Sequence, residues 1–192
     1  TKTDIVTMNE ILRFLQARNS APKLTGPGPG EAELQAMYDA ALRAPDHAWL
    51  RPWRFITISG ERRGEFGKVL ERCLMQRKPD VDEAALAKAR TSALRAPVLI
   101  VSVACLSEHP KVPAVEQRLS AGCAAHALLL AAEAQGYAGI WRTGDAAFDR
   151  NVMAALGLEE SEEIVGFIYI GTRDGNAKTL PQLVQADFVS QW

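Results

Sequence analysis

The 192-residue chain has little that would let a side chain start a reaction unaided: three histidines, three cysteines and no familiar nucleophile motif. It contains no G-x-S-x-G turn, no H-E-x-x-H, no phosphate-binding P-loop and no pair of C-x-x-C motifs. His47 and His109 lie in polar stretches, and a Ser–His–Asp triad has no local support around either. Cys105 and His109 are near enough in sequence to share a metal, but they lack further partners, so no metal is expected. An enzyme built this way borrows its reactivity from a cofactor, and no catalytic residue is assigned to the protein itself.

Excess charge is lacking too. A formal net charge of −1 gives no basic field, so neither nucleic acid nor electrostatic membrane attachment is expected. The three cysteines are odd in number and far apart, which points to a reduced, cytoplasmic setting. Lys2, Asp4, Glu10 and Arg13 interrupt any apolar run at the start, so no signal peptide is expected. There is no internal repeat and no low-complexity segment. With 47% hydrophobic and 23% charged residues, the composition is that of a soluble globular protein, and residues 1–192 read as one domain.

What the chain does have is a helix of unusual composition. Between Glu116 and Gly144, the fourteen residues from Leu119 to Ala132 carry no Asp, Glu, Lys or Arg. Ala and Leu dominate, and apolar residues fall on every face, so the helix should be buried on nearly all sides, with His126 as a hydrogen-bonded core residue. It is too short and too alanine-rich to span a membrane. Ala121, Gly122, Ala124 and Ala125 let another helix or a flat ligand come close to the backbone. Gly136 ends the helix, Tyr137–Trp141 reads as a short buried strand, and Arg142–Thr143–Gly144 bring a cation and a hydroxyl out at its end.

The remaining pattern is layered. Thr7–Met8–Asn9–Glu10 reads as a capping box opening a first helix, whose apolar face is Ile11, Leu12, Phe14 and Leu15 and which Pro22 forbids from continuing. Arg18 beyond it reads first as a cation favoured by the helix dipole; a forked phosphate contact, with Ser20 nearby, is the other reading. Thr25–Gly30 is a proline-stiffened loop rather than a nucleotide fingerprint. Glu31–Leu42, Glu61–Met75 and Val81–Leu94 are amphipathic helices, and Asp149–Leu156 is a short one. Trp53–Ser59, Pro97–Ala104 and Glu163–Gly171 are strands. Between Arg43 and Trp53, RAPDHAWLRPW is either a loop that hugs an aromatic anion or a turn capped by Asp46 with Trp49 and Trp53 as core anchors. Strands separated irregularly by helices give an α+β sheet in layers. The tail from Thr172 to Trp192 ends in Phe188, Val189 and Trp192, bulky residues suited to burial against a partner subunit.

Taken together, Arg18–Asn19–Ser20, RAPDH…RPW at 43–53, the Ala-rich helix from Glu116, GIWRTG at 139–144 and EIVGFIYIG near the end resemble the nitroreductase family, most closely its small YdjA-type subgroup. The resemblance covers nearly the whole chain. It implies a three-layer α+β fold with a mixed, mainly antiparallel central sheet flanked by helices. It also implies an intertwined homodimer with FMN at the subunit interface, whose residues 172–192 form an arm able to pack on the partner. The family's phosphate site would fall on Arg18, Asn19 and Ser20, and its flavin-facing strand end on Trp141, Arg142 and Thr143. The segment reaching the flavin from the other subunit would fall on Arg43 and His47. Nicotinamide nucleotide would be associated with Ala131, Ala132, Glu133, Ala134, Gln135 and Gly136. The implied activity is an NADH- or NADPH-dependent reduction of nitroaromatics, quinones or similar electron-poor small molecules, by hydride transfer through flavin N5. An oxygen-using or dehalogenating flavoenzyme of the same fold, or an FMN carrier or sensor, is the alternative. Three departures stand out. Asn19 replaces a usual second arginine, Pro22 stands where a basic residue is common, and Arg51 stands where glutamine commonly precedes Pro–Trp. Lys23 and Arg142 are then the candidate cations for reduced flavin.

Overall fold

A computed structural model describes the backbone of residues 2–192 and the side chains of residues 9–192. Helix α1 runs Lys2–Gln16, so Thr7 lies within it and not at its start; the Thr7 side chain, and with it the expected capping box, falls outside the described residues. Five strands follow in the order β1 (Leu24–Thr25), β2 (Trp53–Ser59), β3 (Val98–Cys105), β4 (Ala138–Arg142) and β5 (Glu162–Arg173). The helices between them are α2 (Glu31–Ala41), α3 (Arg62–Arg77), α4 (Glu83–Ser92), α5 (Ala114–Ala134) and α6 (Arg150–Ala155). All strand pairs among the described residues are antiparallel, where a mixed, mainly antiparallel sheet was expected. β5 pairs with β3 on one side and β4 on the other, β2 flanks β3, and the two-residue β1 joins the far end of β5.

The alternation of β3 builds two cores from one strand. Leu99, Val101 and Val103 meet Phe66, Leu70 and Cys73 of α3, Val152 and Met153 of α6, and Phe167 and Tyr169 of β5. Val98, Ile100 and Ala104 meet Met37 and Ala41 of α2, Ala121, Ala125 and Leu128 of α5, and Ile168 and Ile170 of β5. This is the three-layer arrangement: helices, sheet, helices. Gly67 marks how tightly α3 and α4 cross, because a Cβ there would sit 1.9 Å from the Arg90 carbonyl oxygen. No helix among the described residues is long and apolar enough to cross a membrane, and they hold no cluster of His, Cys, Asp and Glu that could bind a metal.

The α5 helix departs from expectation on one face. Its inner residues are fully buried, but Val115, Leu119, Cys123 and His126 are exposed on one side of the helix, so His126 is not a core residue in the single chain. Ile11, Leu12 and Leu15 of α1 are likewise exposed, as are Leu183, Val184, Phe188, Val189 and Trp192 of the tail. The sequence pattern reports which residues avoid water. It does not report whether their cover comes from the same chain.

A half-buried ion pair fixes the turn before β5. Arg54 of β2 donates to both carboxylate oxygens of Glu162, at 2.6 and 2.7 Å, and to the Gly157 carbonyl at 3.2 Å. The guanidinium, together with the Glu159 N–H, holds the Glu162 carboxyl at about 2, well below the ordinary range. Burial and the adjoining carboxylate push the Cys105 thiol up to about 11, and its S–H donates to Glu162 at 3.3 Å. Because the folded carboxyl is more acidic than the unfolded one, the pair stabilises the fold fully above about pH 5, and that contribution is lost as pH falls through about 2. Glu162→Gln should therefore lose on the order of 2 kcal/mol at neutral pH, discounted for the part-exposed guanidinium. In urea unfolding from pH 7 down to 2, the gap between variant and wild type should close at the acid end.

Candidate functional site

The site is organised by the outer edge of β4. The Ala21 N–H donates to the Gly139 carbonyl at 2.9 Å, which lays the Arg18–Ser20 turn beside that edge. Since Gly139 turns its carbonyl outward, strand alternation turns the N–H and C=O of Trp141 outward as well, while Ile140 and Arg142 pair inward with Tyr169 and Phe167. The edge thus offers a backbone donor and acceptor at Trp141, followed by the exposed Thr143.

The Trp141 indole is seated by a bulge. The β3–β5 register shifts between Ser102 and Val103, leaving Val165 without an opposite residue. The Val165 carbonyl accepts from Trp141 Nε1 at 3.2 Å. Gly166 supplies the space: a Cβ there would lie 2.0 Å from the same nitrogen. On the other face, the ring lies over α5, near enough to Gly122 that a Cβ there would be 3.8 Å from it.

Arg142 projects to the opposite side of the sheet, into a cavity of about 430 Å3 between β4, β5, α3 and α4. Phe66, Leu70, Leu74 and Phe167 provide apolar walls, and Thr143 and Gly144 form part of the mouth. Arg77, Lys88, Arg95 and Arg142 bring four cations to it against one carboxylate, Asp145. Arg77 is paired with Asp149, and Lys78 holds Asp145 at 3.1 Å and lowers its carboxyl below the ordinary range. Lys88, Arg95 and Arg142 have no ion-pair partner among the described residues. Burial pushes the Tyr169 phenol up, while Arg95, Arg142 and the Ser92 hydroxyl pull it back. The cavity therefore suits a flat, partly apolar ligand that carries or develops negative charge.

The expected site residues fall into three places. Arg18, Ser20, Trp141, Arg142 and Thr143 share the β4 edge; Arg18 Nη1 donates to Ser20 Oγ at 3.4 Å. Asn19 is buried between its neighbours, and its side-chain amide points to the tail, donating to the Lys178 carbonyl. Arg43 and His47 lie elsewhere, at the loop before β2. His47 Nδ1 shares a 2.7 Å hydrogen bond with Glu116 at the start of α5, and Arg43 lines a separate cavity of about 370 Å3 with Asp46, Trp49 and Arg51. Asp46 does cap this loop, accepting from the Arg51 N–H at 2.7 Å, and Trp53 is a core residue, but Trp49 is exposed. Ala48, Trp49 and Arg51 all have positive φ, at 60°, 55° and 49°, a backbone state that carries strain of about 1–3 kcal/mol per residue. The segment Ala131–Gly136 closes α5 against α2: Ala132 is fully buried, and Gln135 donates to the Glu33 and Ala131 carbonyls. Among the described residues, the Glu133 Oε1 oxygen is buried without a partner. Lys23 is exposed and does not line the Arg142 cavity.

Sequence reasoning missed Lys88, Ser92, Arg95 and Tyr169. The available signal was the basic and hydroxyl content of KARTSALR just before an apolar strand, in a helix that otherwise reads as a solvated face.

The model of the nitroreductase family matches residues 10–172. The Escherichia coli (strain K12) protein named "Putative NAD(P)H nitroreductase YdjA" is 43% identical over 170 residues, covering 88% of this chain and 92% of that one. A nitroreductase-like family protein from Bacillus cereus superposes with a TM-score of 0.80 at 20% identity, covering 95% of each chain. A nitroreductase with bound FMN from Bacteroides fragilis gives 0.71 at 21% identity, covering 95% of this chain and 98% of that one.

The Trp141 seat yields a direct test. Gly166→Ala should force the indole off the Val165 carbonyl and cost about 1–3 kcal/mol in urea unfolding, with a shift in tryptophan emission. In a Trp141→Ala background the same change should be nearly neutral.

Proposed function

Because this chain belongs to the nitroreductase family, we propose that it is an FMN-dependent NAD(P)H oxidoreductase working as a homodimer on nitroaromatics, quinones or similar electron-poor small molecules. The observation that carries this reading is the β4 edge. The outward backbone groups of Trp141, the Arg18–Ser20 turn, and a cavity whose Lys88, Arg95 and Arg142 have no ion-pair partner among the described residues all adjoin β4 within one chain. This donor set fits FMN: a guanidinium and hydroxyl for a phosphate, backbone groups for ring heteroatoms, and cations for a ring that gains negative charge. When bound, FMN would supply two-electron redox chemistry between NADH or NADPH and an electron-poor acceptor.

The protein's own work is to bind and orient. Arg18 and Ser20 hold the phosphate. Trp141 and Thr143 engage the ring along the strand edge, and the Gly166 seat keeps Trp141 from drifting across it. Arg142, with Arg95 and Lys88 nearby, favours the reduced, more negative state of the site. No protein nucleophile is required.

The second subunit supplies what one chain leaves open. The bare face of α5, the exposed apolar side of α1 and the apolar tail are the surfaces a second copy would cover. In that assembly Arg43 and His47 of the partner subunit close the flavin site. The end of α5, Ala131–Gly136, is the proposed region for nicotinamide nucleotide. The three cysteines are unpaired, in keeping with a cytoplasmic setting.

Replacing Arg18 or Arg142 by Ala should weaken FMN binding about tenfold to a hundredfold, read by flavin fluorescence on titrating apo-protein. Rapid anaerobic bleaching of the bound flavin by NADH or NADPH is the expected signature of a reductase. Poor bleaching would indicate a carrier or sensor, and oxygen uptake with a distinct product would indicate the oxygen-using class.

The shared site can be tested separately. In a heterodimer of Arg18→Ala and Arg43→Ala chains, one composite site carries both lesions and the other carries neither. High-affinity FMN binding should return at about half occupancy although both mutant homodimers bind poorly. If both residues serve one site within a single chain, no intact site is recreated.

A further inference from the structure

Asn19 sits between two residues assigned to the phosphate, yet its amide faces away from them. Its side-chain nitrogen donates to the Lys178 carbonyl at 2.5 Å, and its own carbonyl accepts from Arg173 Nη2 at 2.8 Å. A third bond runs from the Asp174 N–H to the Lys23 carbonyl at 3.1 Å. Asn19 is only 8% exposed, whereas the tail it holds leads on to Leu183, Phe188 and Trp192, all open to solvent. The turn that orients Arg18 and Ser20 is therefore stitched to the root of the C-terminal arm through both the side chain and the carbonyl of Asn19.

We infer that Asn19 is a positioning residue that couples docking of the C-terminal arm to retention of the phosphate-bearing cofactor. The coupling rests on the FMN reading above. When the arm leaves, the buried Asn19 amide loses its acceptor, and a buried polar group without a partner is costly enough to reshape the turn around it. The turn opens to hydrate the amide, and Arg18 and Ser20 move with it. Linkage makes the effect reciprocal: if a docked arm tightens cofactor binding, bound cofactor holds the arm down by the same factor. An arginine at position 19 would bring a longer, charged side chain to a place where a neutral amide is 8% exposed. In this chain the position serves the arm.

The test uses the full chain and two readouts: FMN affinity by flavin fluorescence, and the rate of tryptic cleavage after Lys178 with and without FMN. Asn19→Ala should bind FMN about tenfold more weakly. FMN should slow cleavage after Lys178 in the wild type and fail to do so in the variant. A chain ending at Asp174 should lose FMN affinity to a similar degree with Asn19 intact. Glu162→Gln, which weakens the fold far from the turn, should keep wild-type affinity; equal weakening there would make the Asn19 effect a general loss of stability and overturn the proposal. Unchanged affinity in Asn19→Ala, while Arg18→Ala loses FMN, overturns the coupling and leaves the cofactor reading standing. A wild-type chain that does not bind FMN overturns both.

Discussion

The backbone ladder of β5 is the interaction on which the rest of the structure depends. This one strand bonds β3 along eight residues, β4 along five and β1 along two. Its alternate side chains also divide the two cores: Phe167 and Tyr169 go to one, Ile168 and Ile170 to the other. The site inherits its position from that ladder. The β4 edge is free because β5 occupies the other side of β4, and the Trp141 seat exists because β5 carries an unmatched residue at Val165. At its start β5 is anchored by Arg54 and Glu162, and at its end Arg173 reaches the Asn19 carbonyl. The strand thus links the Arg54–Glu162 ion pair, the β4 edge and the arm.

Electrostatics in this protein are local. A formal net charge of −1 implies no long-range attraction for anions, yet three cations without ion-pair partners among the described residues crowd one cavity. Such clusters destabilise an empty site through mutual repulsion, and they select a ligand that brings or gains negative charge. Other cations are matched locally: Arg118 forks onto Glu163, Arg54 onto Glu162, and Arg90 reaches Glu71, while Arg77 at the cavity itself meets Asp149.

Much of the fold was legible because periodicity reports burial. The run PVLIVSVA is apolar on both faces and becomes a central strand; EIVGFIYIG becomes β5; the alanine-rich stretch becomes α5. The all-round apolar character of α5 misled on one point only. It cannot separate cover by the same chain from cover by another, so His126 looked like a core residue and lies on a bare face. In the candidate site, Arg18, Ser20 and Trp141–Thr143 were singled out by the family resemblance, since on spacing alone Arg18 reads as a helix-end cation; they sit at the ends of regular elements. Lys88 and Arg95 were not, since a basic residue on an amphipathic helix ordinarily marks a solvated face, and only tertiary packing turns that face toward a cavity. Asn19 was visible as a departure from the family pattern, but its bond to Lys178 spans 159 positions and leaves no local trace. The strained 48–51 backbone is equally silent in the sequence, because none of its three positive-φ residues is glycine.

The outward-facing groups of Trp141 also bear on solubility. An unpaired strand edge is a template for any other strand, and folded proteins normally blunt it with charge, proline, a bulge or a covering segment. Here the cover is partial: Ala21 bonds Gly139, β4 is only five residues long, and Arg142 and Thr143 close its end. The groups that make the edge useful to a ligand are the same ones that would let two empty chains join sheet to sheet. A ligand seated along β4, as proposed, would therefore also cap that edge against strand-to-strand association.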